Sequence, residues 1–208
     1  MSYGINLLNE SGDVWLSPEY TPINLIDKSV IKTVRGNEYV SSIPNNKAHL
    51  FFISLSSNVV VVFEESLKNG VWCLSIKSSS GISECTIYAF SNMAKRNANY
   101  GLCFFSEDGE VTYSADMLPL EINKESIPIT GMVSKDIGEP VAVMPCISGM
   151  ISDFNTEIGG YNIYLHTIGA YGNILTNNRV QVAGGASGPI SNHYQNDFFY
   201  IKTTIYNT

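Results

Sequence analysis

Residues 58–77 read NVVVVFEESLKNGVWCLSIK, and the class of the fold follows from them. Four consecutive valines, Val59 to Val62, lose side-chain freedom in a helix and fit a pleated strand. Leu67-Lys68-Asn69-Gly70 ends in a pair suited to a tight turn, and Val71 to Lys77 supplies a return strand. The spacing predicts a hairpin. Its valine run reads as a central strand covered on both faces, and the pair as the core of the surrounding module.

The pattern repeats outward in both directions. Strands are predicted at residues 4–8, 14–16, 23–26, 30–34, 48–55 and 85–90, then at 102–105, 111–113, 118–122, 129–134, 140–145, 161–168, 172–175, 179–182 and 197–206. In the last of these, Phe199, Ile201 and Ile205 alternate with Tyr200, Lys202, Thr204 and Tyr206, which predicts a structural strand at the C-terminus. No stretch much longer than about ten residues keeps a 3.6-residue apolar period. The expectation is an all-β protein with little helix, sandwich-like rather than a barrel.

One segment is written twice. Residues 3–25, YGINLLNESGDVWLSPEYTPINL, and residues 100–122, YGLCFFSEDGEVTYSADMLPLEI, align without a gap at an offset of 97. Tyr3/Tyr100, Gly4/Gly101, Glu10/Glu107, Gly12/Gly109, Val14/Val111, Ser17/Ser114 and Pro22/Pro119 are identical. The spacing is that of a small domain, not of a solenoid unit. It predicts two related β-sandwich-like modules in tandem, residues 1–97 and 98–208, the second with long loops and a linker near 91–99. Each copy reads as a hairpin whose turn glycine, Gly12 or Gly109, takes positive φ. Pro22 and Pro119 have no donor for a ladder, so each falls at a strand entry or an edge. Gly4, Gly12, Pro22, Gly101, Gly109 and Pro119 are thus architectural residues.

The phrase Tyr-Gly, apolar run, Asn/Ser-Glu-x-Gly-Asp/Glu-Val, x-x-Ser, then a proline-led apolar strand resembles the N-terminal signature of small uncharacterised tailed-phage and prophage structural proteins. These are often encoded beside tail-tip or tail-fibre genes. The resemblance implies a virion component of the tail, with other virion proteins as partners in a symmetric oligomer. It brings no catalytic residues.

Composition narrows the function classes. Charged residues are 15% of the 208, against roughly 25% in an ordinary domain, and 12 Tyr, 9 Phe and 17 Gly fill the difference. A lightly charged surface favours permanent assembly, or contact with neutral glycans, because few charges must be desolvated. The net charge of −7, with Lys95-Arg96 the single adjacent basic pair, argues against nucleic acid. The longest apolar runs are strand-sized, so no membrane span is expected. Met-Ser-Tyr-Gly has neither the basic region nor the apolar core of a secretory signal. Synthesis in a host cytoplasm is expected, and Cys73, Cys85, Cys103 and Cys146 read as core thiols, not as bridges or zinc ligands.

Enzyme signatures are missing from the sequence: no nucleophile elbow, phosphate loop, dinucleotide fingerprint or zinc-protease helix. Residues 184–189, GGASGP, lack the lysine of a phosphate loop and read as a flexible tip. His49, His166 and His193 fall in three separate elements and predict no metal; no cofactor is expected. Glu107, Asp108 and Glu110, or Asp13 with Glu19, have the residue types of a glycosidase pair, but Glu10 and Glu107, with Asp13 and Glu110, recur at matched hairpin turns. A non-enzyme is expected, with a polysaccharide-degrading enzyme as the weakest reading.

A binding role is the runner-up. Tyr161, Tyr164, Tyr171, Tyr194 and Tyr200 crowd the last third among many asparagines, and rings with amides stack on and hydrogen-bond sugars. Tyr161, Tyr164, Asn192, His193 and Tyr194 are the candidate contacts to a host receptor or glycan, with residues 184–196 read as the loop presenting them.

Overall fold

The computed structural model describes residues 7–8, 10–12, 14–16, 21–95, 101–126, 132–195 and 197–207. In chain order, β1 (Leu7–Leu8) and β2 (Val14–Leu16) form a two-stranded ribbon. Then come β3 (Asn24–Lys32), β4 (Glu38–Pro44), β5 (His49–Leu55), β6 (Val61–Lys68), β7 (Val71–Ser79) and β8 (Glu84–Ser91). A second ribbon, β9 (Cys103–Phe105) and β10 (Val111–Ser114), precedes β11 (Asn123–Ser126), β12 (Val133–Asp136), β13 (Val141–Val143) and β14 (Ile147–Asn155). The chain ends with β15 (Gly160–Tyr171), β16 (Ile174–Ala186), β17 (Ser191–His193), β18 (Asp197–Lys202) and a 3-10 turn, Thr204–Tyr206. The fold is all-β.

The centre is the antiparallel trio β3-β8-β5, faced by the three-stranded sheet β4-β7-β6. Phe51, Ile53 and Leu55 of β5 and Cys85, Ile87 and Ala89 of β8 enter the core between these layers, against Tyr39, Ile43, Val61, Leu74 and Ile76. The intervening Phe52, Tyr88 and Phe90 enter a second core on the other side, closed by Ala142, Ile201 and Tyr206. Period-two alternation places the two sets on opposite faces, and both are apolar because both are covered.

The boundary expected at residue 97 does not divide this structure. Val141, Val143, Ile168, Ala170, Leu175, Phe198 and Tyr200 belong to the same core as Phe51 and Ile87. β5 meets β13 at Ile53–Val143 and runs parallel to β15 at Leu55–Tyr171, so one 11-stranded sheet takes strands from both halves. The physical reason is incompleteness. Neither half covers its own apolar faces, and each supplies the layer the other lacks.

What is duplicated is the ribbon and its lead-in. Leu8 pairs with Val14 and Leu7 with Leu16 in the first; at the offset of 97, Phe105 pairs with Val111 and Phe104 with Tyr113 in the second. Each ribbon has its irregularity within these pairs, and Gly12 and Gly109 hold φ of 86° and 81°, a conformation costly to any residue with a Cβ. The segments that follow pair with each other. Asn24 bridges Pro119 antiparallel, Leu25 N donates to Leu118 O, and Leu120 N to Ile23 O, both at 2.9 Å. Pro22 therefore precedes β3, and Pro119 occupies a bridge whose donors are its neighbours. Gly101 has φ 130°; Gly4 lies outside the described residues.

Several strand assignments are corrected. The hairpin β6–β7 turns through Asn69 and Gly70, both left-handed at φ 51° and 81°, but β6 starts at Val61 and is the sheet's outer strand; β7 is its middle. The segments at 23–26 and 30–34 are one strand, β3, and those at 172–175 and 179–182 are one strand, β16. Residues 118–122 bridge instead of forming a strand, and β18 stops at Lys202 so that the 3-10 turn can fold Tyr206 into the second core. The Tyr206 hydroxyl accepts from Glu121 N at 2.9 Å and donates to Pro119 O at 2.8 Å, tying the C-terminus to the repeat. Four strands, β4, β11, β14 and β17, lie where no strand was expected, β17 within the stretch read as a loop.

Cys73 and Cys85 are buried, Cys103 and Cys146 half-buried, and all four are free thiols. Burial pushes the Cys85 thiol up to about 12 and that of Cys146 to about 11. No described helix is long and apolar enough to cross a membrane.

Candidate functional site

Beyond the core, β14, β15, β16 and β17 continue as a four-stranded antiparallel arm in the order β16-β15-β14-β17. Along β14 and β15, between Met150 and Leu165, the one buried residue is Gly160. Residues directly opposite in an antiparallel pair share a face, so the register sorts the arm into two unlike surfaces. Opposite pairs Met150–Leu165, Ser152–Ile163 and Phe154–Tyr161, extended to Val180, Ala183 and Asn192, make one face without a charged residue. Pairs Gly149–His166, Ile151–Tyr164 and Asp153–Asn162, extended to Arg179, Gln181, Ser191 and His193, make the other.

The polar face is organised around Arg179. Its Nη1 donates to Asp153 Oδ2 at 2.7 Å, and its guanidinium lies 4.6 Å from the ring centre of Tyr164, which is cation–π distance. Beside it, Arg179, His166, Gly149 and His193 form one row across all four strands. A Cβ on Gly149 would come within 2.9 Å of Asn192 O and 3.7 Å of His193 Nδ1; the close approach of β17 requires glycine there. His166 is buried at the root of the row. Burial first, then the nearby Arg179 and His193, hold its ring below the ordinary histidine value, with Asp153 opposing.

β17 is fastened to β14 from both ends. Tyr194 N donates to Ser148 O at 2.9 Å and Ser152 N to Ile190 O at 3.0 Å, while Ile190 N donates to Ser152 Oγ at 2.7 Å. Ser148 is anchored by donating to Asn177 Oδ1 at 2.7 Å. The stretch read as a loop over 184–196 is therefore the end of β16, a short bend, and an edge strand.

The five candidate contact residues all lie on this arm, but on different faces. Tyr161 packs edge-to-face on Phe154 at 5.2 Å and shares the uncharged face with Asn192. Tyr164 and His193 are on the polar face, and Tyr194, 55% exposed, follows the edge strand. Sequence reasoning passed over Met150, Phe154 and Leu165 on one side and Asp153 and Arg179 on the other, and took His166 only as a lone histidine in its own element. β14, IleSerGlyMetIleSerAspPheAsn, sets Met150 and Ile151 side by side instead of alternating, so its two faces are not readable from the strand alone.

His49 sits elsewhere, stacked on Trp72 at 3.7 Å and hydrogen-bonded to Glu65 at 3.0 Å. Glu107, Asp108 and Glu110 are exposed at the second ribbon's tip. Asp108 and Glu110 line an open crevice of about 710 Å³ whose other wall includes Lys47 and Asn92. Glu19 and Asp13 are outside the described residues. Among the described residues, no three His, Cys, Asp or Glu side chains are grouped to hold a metal ion.

The chain matches no curated protein and no solved structure. Residues 33–195, well over half of the chain and including the whole arm, match the model of a family of unknown function (DUF6453), and the chain belongs to that family.

Proposed function

We propose that this chain is a non-enzymatic structural component of a tailed-phage virion, in the tail tip, baseplate or fibre, acting through protein–protein assembly. The observation that carries the reading is the arm's uncharged face. Phe154 stands on it 58% exposed. A sheet face without charges, carrying an exposed aromatic ring, costs little to desolvate at a permanent protein contact. The light charge and the twice-written ribbon phrase support the same reading. Deleting the gene should stop tail assembly, and particles that form and adsorb normally without the chain would overturn it.

A second reading, a host-receptor or carbohydrate-binding module, is favoured by one observation. Tyr194 stands exposed at the arm's outer edge beside Asn192 and His193. Tyr194→Ala particles that assemble but no longer adsorb to cells would replace the purely structural role with this one.

A further inference from the structure

We infer that the crevice between the second ribbon and the body of the fold is a binding site for a neutral sugar, held through its hydroxyl groups. The inference goes beyond both readings above, which rest on the arm, and it holds whether or not the chain belongs to a virion.

The cavity is the first argument. Its volume of about 710 Å³ falls within the roughly 300–1,000 Å³ of small-molecule clefts. One wall is β10 with the turn before it, bearing Ser106, Asp108, Glu110 and Thr112; the other has Lys47, from the turn between β4 and β5, and Asn92, which follows β8.

An orphaned group is the second. Thr112 lines the crevice and is 8% exposed, and its Oγ1 is buried without a hydrogen-bond partner. A buried hydroxyl left unpaired is a standing penalty that native folds seldom carry without a use. One step of χ1 exchanges the methyl and the hydroxyl of a threonine, which turns Oγ1 toward a ligand in the crevice. The ribbon itself does not demand these residues: at the offset of 97 the first ribbon has Trp15 where the second has Thr112, and Ser11 where it has Asp108.

The free donors and acceptors select the ligand. Lys47, Asp108 and Glu110 make no ion pair among the described residues. Asn92 Oδ1 accepts from Ala48 N at 2.9 Å, which leaves its amide hydrogens to donate. Ser106 Oγ accepts from Glu110 N at 3.1 Å, which leaves its own proton to donate. Ammonium, amide and hydroxyl donors thus share one cavity with two carboxylate acceptors. A sugar meets such a mixture because every hydroxyl both donates and accepts, and Met93 and Val111 supply apolar surface for its C–H face. Two carboxylates against one ammonium leave the crevice net negative, which turns away phosphates and acidic sugars.

The test titrates the isotope-labelled full chain with D-glucose, D-galactose, D-mannose and N-acetylglucosamine and follows its amide resonances. The expected result is that at least one sugar shifts the amides of Asn92, Ser106 and Thr112 with a Kd of about 1 mM or tighter. Asp108→Asn and Thr112→Val should each weaken that binding at least about tenfold, and Gln181→Ala on the arm should leave it unchanged. Thr112→Val keeps the branched shape and removes the orphaned hydroxyl, so its melting temperature should equal or exceed the wild type's. Asp108 is exposed, so its variant keeps the test decisive if Thr112→Val misfolds. No shift with any of the four sugars, or binding indifferent to Asp108→Asn, overturns the inference. Inorganic phosphate shifting the same amides would overturn the ligand class. Shifts confined to Asn192 and Tyr194 would also overturn it, while supporting the receptor-binding reading of the arm.

Discussion

Leu120 N donates to Ile23 O at 2.9 Å, and these two residues stand 97 positions apart, the offset of the repeat. They are each other's counterparts in the duplicated segment, and they face one another at the centre of a short antiparallel pairing. Both pack at the edge of the second core. The segments that follow the two ribbons thus pair with each other about their own equivalent residues. Duplication here made a clasp inside one domain, not two domains.

A single core spanning both halves predicts one cooperative thermal transition. Phe198→Ala, in the second half, should cost about 3–5 kcal/mol and lower the melting of the whole chain, as should Phe51→Ala in the first. Two separable transitions in calorimetry, with each variant moving only one, would restore the tandem-module picture.

The twin ribbons should respond alike. Gly12→Val and Gly109→Val each place a branched side chain at positive φ, at a cost of roughly 1 kcal/mol or more. Neither glycine has a neighbour that a Cβ would strike, so strain is the whole effect, and Gly→Asn should recover most of it. Chemical denaturation measures both; a Gly109→Val protein as stable as wild type would contradict the geometry.

Tyr206→Phe keeps the ring in the second core and removes the hydroxyl that bridges Glu121 N and Pro119 O. Leaving those backbone groups without their partner should cost about 1–3 kcal/mol. Hydrogen exchange at Glu121 should accelerate, and an unchanged Glu121 rate would show that the bridge does not hold in solution.

Acid should loosen the arm. His166 sits below its ordinary value in the folded protein, so in weak acid the unfolded chain binds more protons than the folded one, and stability rises with pH. It is therefore lost as pH falls through the unfolded value near 6.5 and on toward the lower folded value. Arg179 and His193 near the ring push its value down after burial, and Asp153 pushes it up. His166→Gln should flatten the fall in melting temperature between pH 7 and 5, and Asp153→Asn should steepen it. Equal slopes in all three proteins would exclude this histidine as the cause.

Much of this fold was legible because its strands obey simple periods. The β5, β7 and β8 assignments came from apolar runs covered on both faces, and the ribbons from their turn glycines. β4 was missed because its inward positions are Tyr39, Ser41 and Ile43; Ser41 is buried by donating to Trp72 O at 2.6 Å, and a polar residue on the core side erases the alternation. The valine run misled in the other direction: Val59 and Val60 precede β6 rather than extend it. At the arm, the tyrosines were visible but their faces were not. A face depends on register, and the irregularities between Tyr161 and Tyr164 against β16 cannot be read from one strand alone. Nor does a repeat of 23 residues reveal that the remaining chain shares one core.

Quantitative mass spectrometry of density-purified phage particles from the host strain tests the central claim most directly. The account predicts the chain in intact tails at a fixed integer ratio to the tail-tip proteins, retained after stringent salt washing. Its absence from particles, or a trace amount that washing removes, would contradict a structural role in the virion.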